Sequence, residues 1–146
     1  MKKLLSIFLA LLLVMQIVPT VAMAAEPDYA KQIKDGGLEL YDNSEAVNID
    51  LSGNKDLYYL VIMGAENLQT VDLSGCTNLF MAVIIDAPHL TSVNLSGCTG
   101  LNAAQGVKII GAASLATVNV TGCTSLPLLY NSSRLNAPFI FQPGRP

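Results

Sequence analysis

The chain has 146 residues, of which 51% are hydrophobic and 13% charged, and it contains no Trp. That length supports one domain with its own core. The formal net charge is −3 and the few Lys and Arg are scattered, which excludes a phosphate-tracking basic face and with it nucleic acid as a partner.

The chain opens with Lys2-Lys3, an apolar run from Leu4 to Val18, and then Ala22-Met23-Ala24. A charged start, a hydrophobic stretch and small residues before a cleavage point predict a secretory signal over residues 1–24. A membrane-spanning anchor is the competing reading. It needs about 20 apolar residues, and Gln16 and Pro19 interrupt this run. The expectation is a secreted protein, with the cell surface as a possible station and no stable membrane anchor after cleavage. Loss of Lys2 and Lys3 leaves 6 basic against 11 acidic residues, a net charge near −5. Residues 25–45 read as an amino-terminal cap, with the polar stretch Glu26–Asp35 suited to a short helix ending at Gly36-Gly37.

Residues 46–126 repeat themselves. LSGCT occurs at Leu73–Thr77 and again at Leu95–Thr99, and the likeness extends beyond those letters. Leu68-x-x-Val71-x-Leu73-x-x-Cys76-x-x-Leu79 matches Leu90-x-x-Val93-x-Leu95-x-x-Cys98-x-x-Leu101 and Leu115-x-x-Val118-x-Val120-x-x-Cys123-x-x-Leu126. An earlier copy, Ile49-x-Leu51-x-x-Asn54-x-x-Leu57, has Asn in the Cys slot. The text between obeys the same template at half the period: Leu57-x-x-Leu60-x-Ile62-x-x-Ala65-x-x-Leu68, then Leu79-x-x-Ala82-x-Ile84-x-x-Ala87-x-x-Leu90. Val107-x-Ile109-x-x-Ala112-x-x-Leu115 follows after a short insertion in Asn102–Gly106.

A half-repeat used twice per coil predicts a parallel solenoid, in which coils sit about 4.8 Å apart and equivalent residues stack in columns. Residues two apart on a short strand share a face, so the two apolar residues of V-x-L point inward. The Asn or Cys that follows turns inward where a small side chain meets a backbone group. Ser-Gly before it suits a chain leaving the strand. No single coil buries its apolar edge alone, so stability comes from stacking.

The pattern LxxLxLxxCxxL resembles that of leucine-rich repeats. Its nested form with LSGCTxL is similar to exported bacterial leucine-rich-repeat proteins of the internalin-J-like kind. The resemblance covers about residues 46–126. It implies a leucine-rich-repeat solenoid of about four coils, each of roughly 22–25 residues. Parallel β-strands, mostly β and loop with little helix, are the secondary structure it implies. After Leu126 the template fades into a carboxy-terminal cap or tail, residues 127–146, where Phe139-Ile140-Phe141 is bracketed by prolines. This segment reads either as a flap over the last coil or as an extended strand added to a partner's sheet edge.

The outward positions of the two half-repeats diverge. On the LSGC side they are Asn48, Thr70, Ser92 and Thr117, with Asp50, Asp72, Asn94 and Asn119, an ordinary wettable surface. On the other side they are Tyr58 and Phe80, Tyr59 and Met81, Val61, Val83 and Lys108, and Met63, Ile85 and Ile110. Soluble monomers seldom leave more than ~300–600 Å² of contiguous apolar surface. These residues are therefore either partly covered, by bending or by residues 137–142, or they form a contact surface, for which aromatic and Met enrichment is fitting.

Candidates for chemistry are few. Cys76, Cys98 and Cys123 are an odd count at spacings that fit no short zinc motif, so they read as buried thiols with no metal or cofactor. His89 is the only histidine, in the turn Ala87-Pro88-His89, with no evident catalytic partner. Asp50 and Asp72 should stack as like charges, which raises a carboxyl pKa slightly; a calcium site there needs about six to eight oxygen ligands. The leading expectation is a secreted, non-catalytic protein–protein interaction module using the apolar strand columns. A self-assembling extracellular structural protein is the alternative, and a hydrolase or calcium module built on Asp50 and Asp72 is third.

Overall fold

In the computed structural model, residues 26–101, 106–124 and 126 are described. The expected leader over 1–24, the tail over 127–146 with Phe139–Phe141, and most of the Asn102–Gly106 insertion lie outside the described residues. A single 3-10 turn, Tyr29–Gln32, precedes eight strands: β1 Gly37–Tyr41, β2 Asn48–Asp50, β3 Tyr59–Met63, β4 Thr70–Asp72, β5 Met81–Ile85, β6 Ser92–Asn94, β7 Gly106–Ile110 and β8 Thr117–Asn119. The first six strands start at even intervals, from Gly37 through to Ser92, and the insertion delays the start of β7 to Gly106.

Odd and even strands form separate parallel sheets, ordered β1-β3-β5-β7 and β2-β4-β6-β8. The chain is a β-solenoid of about four coils with almost no helix. Register follows the template: Leu40, Ile62, Ile84 and Ile109 stack in one inward column, and Ile49, Val71, Val93 and Val118 in another. All eight are buried. The corner residues Leu57, Leu68, Leu79, Leu90 and Leu101 are wholly buried between the sheets, each contributing roughly 1.5–3 kcal/mol of hydrophobic stabilisation.

The strands stay short because each runs into a turn encoded in the repeat. Asp50, Asp72, Asn94 and Asn119 each accept, through Oδ1, the backbone N–H two residues on. Gly53, Gly75, Gly97 and Gly122 then take φ between +70° and +78°, which costs a residue with a Cβ about 1–2 kcal/mol. The corner closes as Cys76 accepts from Leu79 N–H, just as Ala65 accepts from Leu68 and Ala87 from Leu90.

The amino-terminal end differs from expectation. The stretch Glu26–Asp35 holds one 3-10 turn, with Tyr29 buried, and the solenoid begins inside residues 25–45. There Leu38-x-Leu40-x-x-Asn43-x-x-Ala46 is one more half-repeat, with Asn43 Oδ1 accepting from the N–H groups of Glu45 (3.0 Å) and Ala46 (2.9 Å). Glu26 Oε1 accepts from Asn48 N (3.1 Å) and Nδ2 (2.9 Å), which occupies part of the open edge of β2.

Candidate functional site

The two sheets carry opposite outer surfaces. On the β2-β4-β6-β8 sheet the outward side chains are polar and bonded along the stack: Thr70 Oγ1 donates to Asn48 Oδ1 (2.7 Å) and Asn94 Nδ2 to Asp72 Oδ2 (3.2 Å). Asp50 and Asp72 are register neighbours. Partial burial pushes the Asp72 carboxyl up, but hydrogen bonds from Ser74 and Asn94 outweigh it and hold the group below the usual carboxylate range. The expected rise from like-charge stacking is thus overturned for Asp72, because the turn amide and the Asn94 amide stabilise the anion. His89 is exposed in its turn.

The outer face of β1-β3-β5-β7 is apolar in its middle. Its register aligns Gly37, Tyr59, Met81 and Gly106; Glu39, Val61, Val83 and Lys108; and Tyr41, Met63, Ile85 and Ile110. All nine residues expected to make the contact surface lie on this face or its rim. Tyr58 (48% exposed), Met63 (36%) and Ile110 (41%) stand furthest out. Tyr59, Val61, Phe80, Met81, Val83 and Ile85 are half-buried. The Tyr59 and Phe80 rings sit 6.5 Å apart at 52°.

Two residues of this face escaped the sequence reading, Tyr41 and Glu39, because the first half-repeat was assigned to the cap. Tyr41 is 57% exposed and its hydroxyl donates to Glu39 Oε2 (3.1 Å). Hydrogen bonding to Glu39, ahead of burial and of the carboxylate's charge, holds the Tyr41 and Tyr59 phenols above the usual tyrosine range. The Tyr59 ring lies on Gly37, where any Cβ would collide with it, and Tyr58 lies likewise on Gly36. The signal was available: Leu38-x-Leu40 has the inward spacing of the later copies.

The cysteines form a column inside. Cys76 Sγ donates to Leu51 O, Cys98 Sγ to Leu73 O and Cys123 Sγ to Leu95 O, each at 3.0 Å and each bridging to the preceding coil. Burial pushes the Cys98 thiol up to about 12, with Cys76 and Cys123 adding to the effect. All three thiols are free. Asn54 begins the column, and its Oδ1 accepts instead from Asp56 N–H (2.8 Å). Among the described residues no group of three His, Cys, Asp or Glu is placed to hold a metal ion.

No protein-family model matches the chain, and no curated protein or solved structure is found to be similar to it; the parallel two-sheet solenoid is established by its strand register.

Proposed function

We propose that the chain is an exported, non-catalytic protein-interaction module of the leucine-rich-repeat type, and that the outer face of β1-β3-β5-β7 is its contact surface. One observation carries this reading: of two sheets built on the same half-repeat frame, one spends its outward positions on hydrogen-bonded polar ladders. The other spends them on Tyr, Phe, Met, Val and Ile in unbroken register. Side chains rich in aromatics and Met at the centre of a face, with charges only at its ends, are the composition of protein interfaces. A binding role is favoured over an Asp50/Asp72 hydrolase because Oδ1 of each carboxylate is engaged by a turn amide. The apolar run Leu4–Val18 behind Lys2-Lys3 supports export.

Photo-crosslinking tests the surface. A photoreactive residue replacing Val83 should capture a protein, foreign or a second copy, whereas one replacing Ser92 on the polar sheet should not. Equal capture from both positions, or none from Val83, would reject the proposal.

A further inference from the structure

The central column of the apolar face carries charge only at its ends, Glu39 on β1 and Lys108 on β7, with Val61 and Val83 between. Three strand spacings, about 14 Å, separate the two charges, too far for them to pair within one molecule. Lys31–Asp28 is the one ion pair among the described residues. That column thus presents an acidic end, an apolar middle and a basic end in a single line.

We infer that this face pairs with the same face of a second copy, about a two-fold axis that runs parallel to the strands between β3 and β5. The inference rests on the reading of this face as a contact surface and names its occupant. Such an axis reverses the order of coils and preserves position along the strand. Glu39 of each copy then meets Lys108 of the other, twice per dimer, and Val61 meets Val83. Tyr59, whose ring covers Gly37, falls opposite Met81, so large side chains meet large ones. Met63 meets Ile85, and Tyr41 meets Ile110. The rival axis, parallel to the solenoid, keeps the coil order and sets Glu39 against Glu39 and Lys108 against Lys108. Like charges brought together in an interface oppose association, so the charges select the first arrangement. An isologous contact of this kind closes on itself and ends at two chains. Four strands of five residues span only about 19 by 16 Å, below the roughly 800 Å² per partner of a standard interface. The dimer is therefore weak and dependent on concentration.

Light-scattering mass of the exported chain, residues 25–146, over about a hundredfold range of concentration reads this directly. The mass should rise from monomer toward dimer and stop there. Glu39→Lys and Lys108→Glu should each weaken the dimer by about tenfold or more, since each sets two like-charged pairs across the interface. An equimolar mixture of the two variants should restore association, because the charges of one variant then face opposite charges on the other; this rescue also shows that both variants fold. A dimer indifferent to both substitutions, or one weakened but not restored in the mixture, overturns the inference. A strict monomer overturns it as well, whether residues 137–142 or a foreign protein occupies the face. In that case capture of a different protein from position 83 leaves the contact-surface reading standing, and its absence removes both.

Discussion

At the scale of single residues, the cysteine column shows one small group serving packing and hydrogen bonding together. Each thiol packs in the inner column and reaches a carbonyl of the previous coil at 3.0 Å. Cys98 lies in the middle of the column, and burial raises its thiol from an ordinary 9.0 to about 12. The unfolded chain gives up that proton first. The contribution of Cys98 to stability is therefore full below about pH 9 and is lost as pH climbs toward 12. Urea midpoints measured at about pH 7, 9 and 11 should fall, and Cys98→Ala should make the fall shallower. An unchanged slope would mean that the tyrosines and the other two thiols carry the alkaline loss. The inward position of these residues was legible, because Asn54 shares their slot and only a small side chain facing a backbone group suits both. The carbonyl partner was not, since Leu51 belongs to the coil beneath Cys76.

At the scale of elements, a turn can be short of room or short of allowed backbone angles, and the two are separable. Gly100 has ordinary backbone angles, yet a Cβ there would stand 2.5 Å from Thr77 O and 2.9 Å from Leu79 O of the coil below. Gly53 takes φ of +70° with nothing within 4 Å of its missing Cβ. Backbone oxygens do not yield as a side chain does, so Gly100→Ala should cost about 3 kcal/mol, near the upper end for overpacking. Gly53→Ala should cost about 1 kcal/mol, the penalty of a left-handed residue with a Cβ. Equal losses in urea unfolding would refute the close approach at Gly100. Sequence reading places Gly53 correctly as a turn glycine and sees nothing special in Gly100, which stands where an earlier copy has Asn78. The element it missed outright is β1. Asn43 and Ala46 replace the usual Ala or Cys and Leu there, so the half-repeat falls below the template although its Leu38 and Leu40 are in register with Leu60 and Ile62.

At the scale of the whole molecule, stability is close to a sum over coils, each touching only its neighbours. Strands β3, β4, β5 and β6 are paired on both edges, whereas β1, β2, β7 and β8 are paired on one. Amide exchange should accordingly be slowest in β3 to β6 and faster at both ends, with Asn48 of β2 retarded by its bond to Glu26. Uniform protection across all eight strands would show instead a single all-or-none opening. The expected contact surface belongs to this scale too. Its nine residues and its basic end at Lys108 were readable from the repeat alone, yet its acidic end at Glu39 and Tyr41 were visible only once β1 joined the sheet.

The repeat by itself determined the coil, the inward columns, the turn chemistry and the contrast between a polar and an apolar side, because period and burial are local and recur with every half-repeat. Only the tertiary structure decided where stacking begins, that Tyr58 and Tyr59 lie across Gly36 and Gly37, and that Glu39 heads the column Lys108 ends. Those facts depend on which coil lies beneath which, and a single turn of a solenoid carries no record of its neighbours.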